Sequence, residues 1–537
     1  RTTNSQKLLC NRMKIGVIDI VTSQRLSQFR KDKIDVLVFT QLGSHIDYRA
    51  LASEFKLVNA FDEISKANWF NYDLISEKLK HLRSTFPDMF TYKGYDLEIP
   101  LKKDLYWAYF YKHALLYEAN KFNKDSSTFI FYNDRSPFKK KLALLRKIFL
   151  YKHQGFEIQV DSSVKDLDKK VGFRLNDRFM IDVYGDLFDK LGIEWVLPYQ
   201  SIYNKEIPVV NKQMHENFGL NFSAAPVKHN YFVSGFIERW RLFFQKEDPD
   251  FSNTFIYIQN NLRNYVDQYE KLFASGLRKV LINAGENEGE GNVLCMVAKR
   301  FGAVTFNYMN GTKAMDPHNL DTNFDFWFMP DRATKELLGS FCHLQDKQLP
   351  ITGHILQDTA ANHTYSGTLD EIKGKMEGKK IIAFLTSRIF ATEKQDVLSL
   401  LNEYLDRHED LIVLVRKHPT EPVNQLKQHD RIIPVPDYSE RMVQKSLFDL
   451  LFVSDVVISL ASTVSFQASW FNKPSLNYEV AEKSRLSYMD NERIFHLNSL
   501  FGLEKSLDDF LYKGKKIPSG PPVPGASEII ATILRNS

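Results

Sequence analysis

Cysteine is scarce in this 537-residue chain: Cys10, Cys295 and Cys342 are all it has, and none stands at a metal-ligand spacing from another. So sparse and odd a count excludes a disulfide scaffold and fits a reducing compartment. Long apolar runs are lacking too, and none approaches the ~20 residues that a membrane span needs. The opening residues RTTNSQKLLCNRMKIG hold no signal-peptide hydrophobic stretch, so the cytoplasm is the expected setting. Charge of one sign is also missing. Lys and Arg number 71 against 66 Asp and Glu, a net +5, which excludes a whole-chain electrostatic grip on nucleic acid. There is no internal repeat, tandem Walker sequence, Cys/His zinc pattern or Gly-x-Ser-x-Gly elbow.

What is present reads as globular. The length predicts two to three domains, and 43% hydrophobic with 26% charged residues is ordinary for folded chains. Aromatics are abundant, with 41 Phe and 24 Tyr, which suits large cores and sugar-stacking surfaces alike.

The most informative stretch is 411–480. Leu411–Val415 is a continuous apolar run rich in β-branched residues, the mark of a strand buried on both faces. It stops at Arg416-Lys417-His418-Pro419, where proline ends the ladder. Val456–Ile458 is a second such strand and leads to Ser459, Ser462 and Thr463. A helix over Val464–Phe471 follows, then a strand over Ser475–Asn477. This βαβ unit has hydroxyls at its helix N-terminus, where free N–H groups and the helix dipole attract an anion. In open α/β sheets ligands lie beyond the carboxyl ends of the strands. His418 also leaves a strand end, so one phosphate-bearing ligand held by both is the economical reading. The plain alternative is a Rossmann-like unit with a surface histidine.

His-Pro after a strand, followed by Ser/Thr opening a helix, resembles the donor half of GT-B glycosyltransferases. Bacterial sialyl-, polysialyl- and Kdo-transferases and the CDP-glycerol glycerophosphotransferases are similar. The resemblance implies an α/β fold of two Rossmann-like domains facing across a cleft, with helical insertions in the N-terminal one. It implies that His418, Pro419, Ser462 and Thr463 bind the nucleotide phosphate, that Arg388 in the turn Thr386-Ser387-Arg388 neutralises it, and that Glu479 takes ribose hydroxyls. Those glycerophosphotransferases carry Trp-His-Gly-Thr-Pro-Leu-Lys after an N-terminal-domain strand. Here Met309-Asn310-Gly311-Thr312-Lys313 keeps Gly311, Thr312 and Lys313 on the acceptor side but has Asn310 in the histidine's place. That departure disfavours polyol-phosphate transfer and favours a sugar donor, CMP-linked first and UDP-linked next.

Along the chain, Met13 precedes a strand over Lys14–Val21, so residues 1–12 read as an extension. Further strands are expected at Ile34–Phe39, Thr128–Tyr132, Phe156–Val160, Ile193–Leu197, Lys279–Asn283, Ala303–Tyr308, Phe324–Met329 and Lys380–Leu385. Trp107, Phe110, Leu115 and Tyr117 share a helical spacing and read as core. His45, in the turn after the second strand, reads as structural or as an acceptor-side group. Residues 136–156 form a basic, aromatic, amphipathic stretch that suits an anionic membrane surface or, equally, a solvated helix on the core. The segment 157–277 is largely unresolved by pattern. Ala-Gly-Glu-Asn-Glu-Gly-Glu-Gly-Asn after Lys279–Asn283 reads as a flexible loop. Its Glu286, Glu288 and Glu290 would repel phosphate but suit a sugar or polyol, or general-base work on an acceptor hydroxyl; solvated loop charge is the other reading.

The expected domains are 13–325 for the acceptor, 326–515 for the donor, and 516–537 as a Pro/Gly linker with a terminal helix that packs back across the domains. The expected activity is transfer of a sugar from a nucleotide-activated donor to a hydroxyl of a glycan or lipid-linked glycan. The setting is capsule or lipopolysaccharide assembly at the inner face of the plasma membrane. Glu286, Glu288, Glu290 and His418 are the expected catalytic residues. No cofactor is expected beyond the nucleotide sugar as substrate. No metal is expected either, because Asn323-Phe324-Asp325 stands where Asp-x-Asp would be needed. The alternatives are a CDP-glycerol-type polyol-phosphate transferase, a non-hydrolysing UDP-GlcNAc 2-epimerase of the same fold, which the large helical N-terminal insertions argue against, and a catalytically inactive GT-B module that binds glycan.

Overall fold

The computed structural model describes residues 13–42, 48–59, 64–122, 128–131, 153–157, 165–175, 179–192, 195–200, 225–229, 249–283, 285, 288–309, 317–387, 390–417, 429–435, 443–460, 462–478, 492–518 and 525–537. Three parallel sheets carry the fold. The first has the order Lys56–Asn59, Val36–Leu42, Lys14–Val21, Thr128–Phe131. Its strands alternate over their middle residues: Ile15, Val17, Val36 and Val38 enter one core, while Ile18, Leu37 and Phe39 enter another on the opposite face. That is why the sequence shows unbroken apolar runs here.

The middle sheet has the order Phe326–Phe328, Val304–Tyr308, Lys279–Asn283, Val171–Leu175, Trp195–Gln200. Numbered along the chain from Val171, this is 2-1-3-4-5 read from the Trp195 edge, a doubly wound order whose switch point lies between Val171–Leu175 and Lys279–Asn283. The third sheet runs Ile432–Pro434, Leu411–Arg416, Lys380–Leu385, Val456–Ser459, Ser475–Tyr478, Ile494–Leu497. In chain order that is 3-2-1-4-5-6, the dinucleotide-fold arrangement, with its switch point between Lys380–Leu385 and Val456–Ser459. The α/β class and the pair of Rossmann-like sheets expected from sequence are both present.

Two features depart from expectation. The segment 13–325 holds two parallel sheets rather than one. They are joined by a layer of four helices, Ile64–Thr85, Glu98–Asn120, Pro249–Ala274 and Gly289–Arg300, that share a single core. The boundary expected at 325/326 falls inside the middle sheet, whose edge strand is Phe326–Phe328; Met329 then bridges Ile351. The crossover therefore comes after Ile351. Among individual residues, Phe110 and Leu115 are buried as expected, but Trp107 is 42% exposed. Its ring lies against Tyr106 and Phe110 at the flank of the helix instead of entering the core.

The middle and third sheets meet in one apolar cluster. Tyr184, Phe188, Tyr308 and Ile355 come from the middle sheet's side, Phe448, Phe466 and Trp470 from the third's. Ile530, Ala531 and Leu534 of the terminal helix Ala526–Asn536 complete it, so that helix does pack back across the domains. Asp358 accepts the N–H groups of Gly525, Ala526 and Ser527 at 2.7, 3.2 and 2.8 Å. At the other end Lys279 Nζ donates to the carbonyls of Leu534 and Arg535, both at 2.9 Å. Anion at the amino end and cation at the carboxyl end both match the helix dipole. No helix among the described residues is long and apolar enough to cross a membrane.

Candidate functional site

In the third sheet, Leu385 pairs with Arg416 on one side and with Ser459 on the other. Three neighbouring strands therefore end level. The chain leaving them, Thr386-Ser387, Lys417 and Leu460, departs side by side at the switch point. With neighbouring strands ~4.8 Å apart, that mouth is roughly 10 Å wide, the scale of a phosphate group and its ligands. Ser462 caps the helix Thr463–Trp470 there. Its backbone is extended (φ −120°, ψ 146°), and its Oγ accepts the Val464 N–H at 3.3 Å. Ser462 and Thr463 are both half-buried, hydroxyls at the positive end of a helix on the sheet's open edge.

Behind that helix lies a polar chain that sequence reading missed. Ser459 Oγ bonds Ser465 Oγ and donates to Asn477 Oδ1 at 3.2 Å; Asn477 Nδ2 donates to His496 Nδ1 at 3.4 Å. Ser459, Asn477 and His496 are register partners on three successive strands. A polar residue late in each of VVIS, SLNY and IFHL was the available signal. The network fixes the base of the capped helix without using its exposed hydroxyls.

The middle sheet's switch point carries the opposite charge. Arg174 pairs with Ile282 across it and is almost wholly buried. Its Nε donates to Glu290 Oε1 at 3.1 Å and its Nη2 to Glu290 Oε2 and to Glu288, the latter at 3.0 Å. Tyr269 donates to Glu290 at 2.8 Å. Glu290 is thus buried and fully engaged, whereas the Glu288 side chain is 37% exposed. The second half of the loop expected over these residues is instead the start of a helix: Glu288 is the N-cap and the helix is Gly289–Arg300. Its glycines answer close packing rather than flexibility. A Cβ on Gly291 would fall 2.0 Å from the Gly285 carbonyl, and one on Gly289 would fall 2.5 Å from the Pro100 carbonyl.

A third carboxyl, which sequence reading did not single out, reaches this place from the helix Glu98–Asn120. Asp104 Oδ1 accepts the Gly289 N–H at 2.7 Å. Burial in the fold, helped by the charges of Glu288 and Glu290, pushes its carboxyl up to about 7, against the lowering effects of the Gly289 N–H and Lys103. Asp104 nonetheless keeps solvent-accessible surface.

Between the two sheets, Tyr308 and His354 form the junction. The Tyr308 hydroxyl accepts the Ile355 N–H at 3.1 Å and lies 3.0 Å from His354 Nδ1, which also accepts the Leu356 N–H. Burial pushes the His354 imidazole down to about 3, so it is neutral. Of the residues named from sequence, Ser462 and Thr463 meet at one switch point and Glu288 and Glu290 at the other. Glu286, Asn310, Gly311, Thr312, Lys313, Arg388, His418, Pro419 and Glu479 lie outside the described residues, as do His45 and nearly all of 136–156. Among the described residues, no cluster of three or more potential metal ligands forms.

Residues 295–498 match one family, CDP-glycerol:poly(glycerophosphate) glycerophosphotransferase. The match spans the whole third sheet and bears out the resemblance read from the sequence. No curated protein matches the chain. Solved structures with a similar fold include the S. aureus MnaA–UDP complex (14% identity, TM-score 0.45, covering 67% of this chain and 94% of that one). A UDP-N-acetylglucosamine 2-epimerase described as putative, from Listeria monocytogenes, has 13% identity and TM-score 0.47 over 68% and 95%. The wall teichoic acid polymerase TagF has 15% identity and TM-score 0.38 over 74% and 97%. At these scores the likeness assigns no role to any residue.

Proposed function

We propose that this chain is a transferase that moves a group from a nucleotide-activated donor to a hydroxyl of a surface-polymer acceptor. The observation that carries the reading is the level ending of three strands at the third sheet's switch point, beside a Ser462-capped helix, within the stretch that matches the glycerophosphotransferase family. The donor phosphate would lie on the helix N-terminus and the Ser462 and Thr463 hydroxyls. His418 and Arg388, leaving the neighbouring strands, would stabilise the nucleotide as it departs. No metal is assigned to this step. The acceptor would sit at the acidic switch point of the middle sheet, where Glu288 accepts a hydrogen bond from one of its non-reacting hydroxyls, beside Asn310 to Lys313. Glu479 would hold the ribose.

A CMP-linked sugar is the favoured donor, a UDP-linked sugar the next. CDP-linked polyol is the second reading, favoured by the family match and opposed by Asn310 in the place of the family's histidine. Work at the inner face of the plasma membrane, with contact through 136–156, belongs to the same proposal.

Thermal shift with CMP, CDP, UDP and dTDP tests it, wild type beside His418→Ala and Ser462→Ala. A ligand that binds only the folded state raises the melting temperature by mass action. Stabilisation by one nucleotide, lost in both variants, is the expected result, and the nucleotide names the donor class. A folded wild type that responds to none of the four sinks the proposal in favour of a glycan-binding module.

A further inference from the structure

We infer that Asp104 is the general base that removes the proton from the acceptor hydroxyl, which rests on the transferase reading above. Four observations converge on it. First, it stands at the middle sheet's switch point, beyond the carboxyl ends of Val171–Leu175 and Lys279–Asn283, where open sheets bind ligands. Second, of the three carboxyl groups there it alone has no cation bonded to it among the described residues. Arg174 bonds both Glu288 and Glu290. Asp104 accepts one hydrogen bond, from Gly289 to Oδ1, and its Oδ2 has no hydrogen-bond partner among the described residues. Third, the site is shaped around this carboxyl: a Cβ on Gly289 would lie 2.8 Å from Asp104 Oδ2. Fourth, a buried polar atom in the first turn of the helix that Asp104 contacts through Gly289 has no hydrogen-bond partner. Asn292 is 2% exposed, and its Nδ2 donates to the Glu288 carbonyl at 3.3 Å. That bond turns the amide back over the helix N-terminus, leaving Oδ1 there as an acceptor with nothing to accept.

The groups facing Asp104 define its chemistry. Glu288 and Glu290 from Gly289–Arg300 raise its proton affinity, Lys103 on its own helix lowers it, and Arg174 and Tyr269 bind the glutamates behind. An effective base has a pKa near the working pH, and this carboxyl lies close to neutral. In the step, the acceptor oxygen bonds to the donor's electrophilic atom while that atom's bond to the nucleotide phosphate oxygen breaks. The electron pair leaves with the nucleotide, and the acceptor proton passes to Asp104 Oδ2 and then to solvent. The base thus comes from the helix layer that joins the first sheet to the middle one.

Asp104→Asn tests this, because an amide Oδ1 still accepts the Gly289 N–H. Nucleotide release is measured from CMP-N-acetylneuraminate, CDP-glycerol and UDP-N-acetylglucosamine, with water and then glycerol as the hydroxyl source. The expected result with the donor that wild type uses is a kcat at least ~100-fold lower, KM within about threefold, and loss of the acid limb of the pH–rate profile. The nucleotide melting shift should persist, and Asp104→Glu should recover part of the rate. Wild-type kcat in Asp104→Asn, with its acid limb intact, overturns the base alone. A wild type that neither gains stability from any nucleotide nor releases one from any donor overturns the transferase reading, and the base with it.

Discussion

Asp104 should make the folded chain less stable as pH rises through the neutral range, and Asp104→Asn should abolish that loss. In the unfolded chain the carboxyl titrates near its ordinary 3.8; in the fold it titrates at about 7. Below pH 4 it is protonated in both states and burial costs nothing for ionisation. Between 4 and 7 the unfolded state releases the proton while the folded state keeps it, so unfolding gains with each pH unit. Above 7 both states are ionised and the loss is complete. One pKa unit corresponds to 1.36 kcal/mol, so roughly three units set a ceiling of about 4 kcal/mol. The carboxyl's partial solvent exposure reduces it, and roughly 2–3 kcal/mol is the expected difference. Asparagine does not titrate. Urea unfolding of wild type and variant at half-unit steps from pH 4.5 to 8.5 should show the variant gaining on wild type by that amount, with a plateau above pH 7.5. Curves that run parallel across the range would refute the placement of this carboxyl among Glu288, Glu290 and a closed backbone.

Arg174→Met should destabilise by about 3–5 kcal/mol, because it strands Glu290 as an uncompensated buried charge; adding Glu290→Gln should restore much of that in the same denaturation assay. Gly291→Ala should lower stability by roughly 1–3 kcal/mol, since its Cβ would meet the Gly285 carbonyl at 2.0 Å; an unchanged melting temperature would mean that this turn is loosely held. Asp358→Ala removes the acceptor of three N–H groups at the terminal helix and should expose 526–536 to limited proteolysis well before global unfolding.

How far the fold could be read from the sequence followed from where each strand finds its burial. Lys279–Asn283 and Lys380–Leu385 sit mid-sheet with apolar neighbours on both faces, and their apolar runs predicted them to the residue. Val171–Leu175 lies equally deep but was not legible. Gly172 replaces an apolar residue because Leu277 passes so close that a Cβ would come within 2.6 Å of its Cδ2. Arg174 breaks the run because its partners arrive from Glu288 and Glu290, far along the chain. Without that strand the middle sheet has no switch point, and three glutamates after Lys279–Asn283 look like a solvated loop. One local clue did exist: glycine at both 289 and 291 is a poor way to begin a helix unless a backbone passes within contact distance. Asp104 left no such clue, since a lone aspartate on a helix beside Lys102 and Lys103 has the appearance of surface charge. The third sheet's switch point was legible because one βαβ unit supplies strand, cap and helix within a few residues. The middle sheet's switch point draws its carboxyls and its arginine from three separate segments, so only the folded arrangement brings them to one place.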